Sequence, residues 1–182
     1  MPLSVKAANK LSCVLKCVAT RSKVSSGACA RPWPADPDKP FGHLLVQPHE
    51  LDGQLRHSLA SLYLIAGDEP LQVQEASGAV RAAARAVGCS ERLVFDVDRS
   101  FDWDALLMQA DSMSLFAERR LIELRLPSAR PGKAGGAALE KLASRDCEDV
   151  CVVTMPAVDG QARRTAWFKA LQQSGVHVDV RV

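Results

Sequence analysis

Between residues 62 and 180 the sequence alternates short apolar runs with longer stretches of helical periodicity, and no other feature constrains the fold as tightly. Leu62-Tyr63-Leu64-Ile65-Ala66 is continuously apolar and stops at Gly67. A strand buried on both faces of a parallel sheet reads this way, because neither face can expose polar side chains. Further strands are expected over Arg92 to Val97, Leu121 to Leu126 (closed by Pro127), Val150 to Met155 (closed by Pro156) and Val176 to Val180. With helices between them, the order predicts a three-layer α/β fold around a mainly parallel sheet of about five strands. Right-handed crossovers then bring the loops that follow the strands to one edge.

The helical stretches carry their own start and stop signals. Asp68 is placed to cap a helix with Pro70 in its first turn; Leu71, Val73, Ala76, Val80 and Ala84 supply an inner face, and Gly88 ends it after Val87. Asp102-Trp103-Asp104 opens a second helix, carrying Ala105, Leu106 and Met108 toward Met113. Ser128 to Gly136 reads as a solvated Pro/Gly/basic loop, and Ala137 to Ser144 as a helix. Gln161 to Gln173 is expected to be helical up to Gly175, with Trp167 and Phe168 as core. A short amphipathic helix over Gln47 to Leu59, with Leu51, Leu55 and Leu59 on one face, precedes the first strand.

Charge separates the first 43 residues from the rest. They hold seven Lys/Arg and two Asp, a net +5 within a chain of net +2, which leaves −3 for residues 44–182. A mildly acidic domain argues against a surface that coats DNA through its phosphates. Residues 1–43 are basic, serine-rich and, from Pro32 to Pro40, proline-rich; they read as a disordered extension or a misassigned start, although their first 30 residues vaguely resemble a transit peptide. The folded part is expected over 44–182. No run approaches the roughly 18 apolar residues of a membrane span, so no membrane partner is expected. The six cysteines include two C-x3-C pairs, Cys13/Cys17 and Cys147/Cys151, without a histidine cluster, so no metal site is expected. Cys151, within an apolar run, reads as a small core residue, and reduced thiols suit a cytoplasmic protein.

The obvious chemistries find little support. The first strand-to-helix turn, Ala66-Gly67-Asp68-Glu69-Pro70-Leu71, puts two carboxylates and a proline where a phosphate needs backbone N–H groups and a lysine. No nucleotide cofactor is expected there. Asp96, Asp98, Asp102 and Asp104 could gather a divalent cation, but solvated loop and capping aspartates are the simpler reading. His43, His49, His57 and His177 lie far apart, and there is no G-x-S-x-G, so no catalytic residue is assigned. Arg119 and Arg120 read as strand-edge charges. What remains is Gln109 to Arg120, where Met113, Leu115 and Phe116 stand among polar residues at a chain turn. A junction like this either buries its apolar side chains in its own core or offers them to a partner.

Taken together, Leu62 to Leu71, the Asp102-Trp103 helix start, Ser112-Met113-Ser114-Leu115-Phe116-Ala117 followed by Arg119-Arg120, the strand ending at Pro127 and Trp167-Phe168 resemble the delta subunit of the bacterial DNA polymerase III clamp loader. The resemblance runs from about Leu44 to Val182. It implies the first domain of that family, an AAA+-type ATPase-like α/β module without a P-loop or bound cofactor. It implies that the domain binds and opens the ring-shaped beta sliding clamp, for loading on DNA during replication, through an apolar wedge at Met113, Leu115 and Phe116. It also implies partnership with other loader subunits through later helical lid and collar domains, which are expected to be absent here, and contact with DNA only indirectly. No intrinsic catalysis is expected of such a subunit within a DNA-directed DNA polymerase holoenzyme. The residues leave two alternatives open: a nucleotide- or Mg2+-binding α/β enzyme domain using Asp68, Asp96 or Asp98, and an interaction module with another partner.

Overall fold

The computed structural model describes residues 44–112, 119–145 and 148–181. Six strands form one sheet: β1 (Leu44–Val46), β2 (Leu62–Gly67), β3 (Cys89–Asp96), β4 (Arg119–Arg125), β5 (Val150–Met155) and β6 (Val176–Val180). Their spatial order is β1-β6-β2-β5-β4-β3, and every neighbouring pair is parallel. Five helices connect them: α1 (Pro48–His57), α2 (Pro70–Ala86), α3 (Trp103–Asp111), α4 (Gly132–Ala143) and α5 (Ala166–Ser174). The fold class is the expected one, with one strand more than the apolar runs indicated.

Alternation along each strand divides the core in two. Leu62 and Leu64 of β2, Ile122 and Leu124 of β4, and Cys151 and Val153 of β5 face one way, where they meet Leu106 of α3, Leu139 and Leu142 of α4, and Phe168 and Leu171 of α5. Tyr63, Ile65, Leu121, Val152, Val176 and Val178 face the other way, toward Leu51 of α1 and Ala76, Val80 and Ala84 of α2. Each internal strand therefore has both faces covered, which is why β2 is buried along its whole length. The chain winds outward from β2 to the β3 edge and then back, so α2 covers one face while α3, α4 and α5 cover the other.

Several local expectations are corrected. Asp68 does not cap α2: Glu69 is the N-cap residue, and no side-chain cap bond forms. Leu71, expected on the inner face, is exposed. α4 begins at Gly132, inside the stretch read as a loop, because Gly135 and Gly136 are buried against aromatic rings. A Cβ on Gly136 would stand 3.2 Å from the Trp167 ring. The helix expected from Gln161 is broken at extended Thr165, between a 3-10 turn (Ala162–Arg164) and α5. Asp159 caps the 3-10 turn: its carboxylate accepts the Ala162 N–H at 2.7 Å and an Arg130 N–H at 2.9 Å. Trp167 and Phe168 are core, as expected.

Candidate functional site

Parallel α/β sheets usually hold small ligands at the carboxyl edge, where winding reverses. In this sheet that edge follows β2, where the turn into α2 is short and acidic. A Cβ on Gly67 would collide with the backbone and side chain of Val180, so β2 presses directly against β6. Only Asp68 and Glu69 separate Gly67 from Pro70, and Pro70 offers no N–H. Two residues carrying carboxylates leave no cradle of backbone donors and bring no cation.

The aspartates do not converge either. Asp68 follows β2 and Asp96 ends β3, with β5 and β4 between them. Three strand spacings put those ends about 14 Å apart. Asp98 accepts the Ser100 N–H and hydroxyl at 2.8 and 2.9 Å, a local turn, and Asp102 caps α3 by accepting the Asp104 and Ala105 N–H groups at 3.0 Å. His49 and His57 lie on exposed positions of α1, whereas His177 is fully buried in β6, edge-on to Phe168. Cys89 and Cys151 are both buried in the core.

At the opposite, amino edge of the sheet the chain leaves α3 at Ser112 and returns in β4 at Arg119. Met113, Leu115 and Phe116 lie between these points and outside the described residues. Both ends of the interval are built from charged groups. Arg120, read from sequence as an edge charge, is buried. Its guanidinium donates to the carbonyls of Ala110 at 2.9 Å and Gln109 at 3.1 Å, and pairs with the Asp149 carboxylate at 2.7 Å. Asp149 in turn accepts the backbone N–H of Arg120 at 3.0 Å. Arg145, after α4, also donates to the Ala110 carbonyl and pairs with Asp111 at 3.0 Å.

This is helix C-capping by side chains. The last carbonyls of a helix have no intrahelical donor and carry the negative end of its dipole, so two guanidiniums suit them. The sequence signal for Arg120 is slight: an arginine directly before an apolar strand, matched by Asp149 directly before the neighbouring strand β5.

A second ionic cluster lies on the other face of β4. Buried Glu123 receives Arg81 of α2 at 2.7 Å and Arg92 of β3 at 2.7 Å, with Arg125 at 3.6 Å. Burial alone pushes the Glu123 carboxyl up, but the Arg92 and Arg81 hydrogen bonds outweigh it and hold the group at about 2. Arg81 joins the α2 layer to the sheet there; the cluster is a brace with its polar groups mutually satisfied.

Comparisons with known proteins agree with this architecture. Residues 63–181 match the family model for the DNA polymerase III delta subunit. The chain is 35% identical over 134 residues to DNA polymerase III subunit delta of Escherichia coli, covering 73% of this chain and 39% of that protein. It is 31% identical over 82 residues to subunit delta of Haemophilus influenzae, covering 45% of this chain and 24% of that one. Among solved structures, the Bacillus subtilis DNA clamp loader delta protein superposes with a TM-score of 0.58 at 19% identity, over 74% of this chain and 42% of that chain. The chain thus spans about two fifths of the length of the Escherichia coli relative.

Proposed function

Because the chain belongs to the DNA polymerase III delta subunit family, we propose that it contains the sliding-clamp-binding domain of a clamp-loader subunit and takes part in bacterial DNA replication. Met113, Leu115 and Phe116 form its apolar contact with the ring. The observation that carries this reading is the interval between α3 and β4. It falls inside the matched region, it holds three large apolar residues in a polar setting, and charged groups anchor both its ends.

A contact of this kind is energetically sufficient. Burying a Leu and a Phe gains roughly 1.5–3 kcal/mol each before ordering costs, and a few central apolar residues commonly dominate a protein interface. Opening a ring requires that the wedge bind the open interface better than the closed one, since a binder shifts an equilibrium only through differential affinity. The domain forms and breaks no covalent bond in this scheme; ATP consumed by sister subunits controls when the wedge is presented. Contacts with those subunits are made by the parts of the relatives that extend beyond the matched region, and the setting is the bacterial cytoplasm. Among the described residues, no helix is long and apolar enough to cross a membrane. Size-exclusion chromatography of the chain mixed with a bacterial sliding clamp tests the reading: co-migration is expected, and independent elution at micromolar concentrations of both proteins opposes it.

A further inference from the structure

β3 ends the sheet, and one of its two edges is open. It runs for 8 residues and pairs with β4; among the described residues no strand lies beyond it. Just past its end the Val97 N–H donates to the Arg125 carbonyl of β4 at 2.9 Å. Alternate residues of a strand bond the same neighbour, so Leu93 and Phe95 also turn their backbone groups to β4, while Arg92, Val94 and Asp96 turn theirs outward. A register shift between Cys89 and Glu91 interrupts the start of the strand and leaves Glu91 to Asp96 regular. Val94 is exposed, and so is the Asp96 side chain, at 74%. An open edge of this kind is a template for another strand.

We propose that β3 is a self-association edge whose partner is the β3 strand of a second copy of this chain, paired antiparallel about a twofold axis through Val94. The sequence of the strand is self-complementary in that register. Val94 meets Val94 of the second copy, Arg92 meets its Asp96, and Asp96 meets its Arg92, all on one face; on the other face Leu93 and Phe95 meet each other. The outward backbone groups of Arg92, Val94 and Asp96 fall in hydrogen-bonded pairs at the same time. Moving the axis to Arg92 or to Asp96 sets like charges against each other, which disfavours those registers. The charges are available. Arg92 gives its Nε and one terminal nitrogen to Glu123 and keeps further donors, and Arg81 and Arg125 crowd the same single carboxylate. Asp96 has only a loose contact with Arg125, at 3.4 Å. One strand pair is a small interface, so the dimer is weak and concentration-dependent. It is independent of clamp binding.

The test is sedimentation velocity of the whole chain from about 10 to about 500 μM, a range suited to an interface of this size. The unsubstituted chain is expected to shift toward a dimer as concentration rises. Val94→Pro removes an outward N–H that the sheet does not use and puts a ring in the path of the second strand. Asp96→Arg sets like charges opposite Arg92 of the second copy. Each is expected to weaken association at least about tenfold, with an unchanged circular dichroism spectrum. Asp52→Arg makes the same charge change at an exposed position of α1, which packs on α2 and β6, and is expected to dimerise like the unsubstituted chain. Asp96→Arg alters only an exposed side chain, so it decides the matter if Val94→Pro does not fold. A single-chain species at every concentration, undiminished association in either folded variant, or an equal loss in Asp52→Arg would each overturn the proposal.

Discussion

The indole of Trp103 lies in the space that a side chain on Gly135 would fill: a Cβ built there stands 2.6 Å from its nearest ring carbon. The Cβ of Pro131 is 2.7 Å away on another side. This contact locks the start of α3 against α4. Alanine at Gly135 must displace a rigid ring and a proline, at a cost near the upper end of the roughly 1–3 kcal/mol for overpacking. Its better helix propensity returns about 1 kcal/mol. Gly135→Ala should therefore destabilise the fold by about 2 kcal/mol. Gly53 in α1 has no heavy atom within 4 Å of its Cβ position, so Gly53→Ala should stabilise by up to about 1 kcal/mol. Urea denaturation followed by circular dichroism checks both; the opposite signs are the critical result.

Glu123 gives the protein an acid-sensitive brace. Its folded value of about 2 lies below the ordinary 4.5, so the folded state favours the ionised form. The contribution is fully present above about pH 4.5 and fades as pH falls toward 2. Glu123→Gln should cost about 2 kcal/mol at pH 7, since it leaves Arg81 and Arg92 without their shared carboxylate. The deficit should shrink between pH 4.5 and 3. Denaturation midpoints across this range measure it, and a deficit independent of pH would contradict the assignment.

Tyr63 is buried in β2, yet its hydroxyl serves two partners. It accepts the Ala60 N–H at 2.9 Å and donates to Gln54 Oε1 at 3.2 Å, fixing the link from α1 into the sheet. Tyr63→Phe leaves a buried backbone donor without its acceptor and should cost about 1–2 kcal/mol. Faster amide exchange confined to residues 54–60 would be the local signature.

The strands were legible because runs such as Leu62–Ala66 and Val150–Met155 must bury both faces. β1 was not, because Leu44-Leu45-Val46 is too short to show a period and two of its three side chains are exposed. The first half of α4 was hidden by Gly132, Gly135 and Gly136, which propensity assigns to a loop. Gly135 and Gly136 admit Trp103 and Trp167, so tertiary packing overrides the local preference there. At Gly67 the short acidic turn is legible, but the close approach of Val180 is not, because it comes from a strand more than a hundred residues later. Met113, Leu115 and Phe116 lie outside the described residues, and their assignment rests on composition and family resemblance. The anchor at the two ends of that interval was not legible: Gln109, Arg120, Arg145 and Asp149 meet only in three dimensions, and Arg120 looked like a surface charge.

The central claim is that Leu115 and Phe116 face a partner ring. Surface plasmon resonance of the chain on a bacterial sliding clamp, with Leu115→Ala and Phe116→Ala as separate variants, tests it most directly. Each substitution is expected to cost about 2 kcal/mol, roughly a 30-fold loss of affinity, with circular dichroism spectra and melting temperatures unchanged. Full affinity in both folded variants would contradict the account.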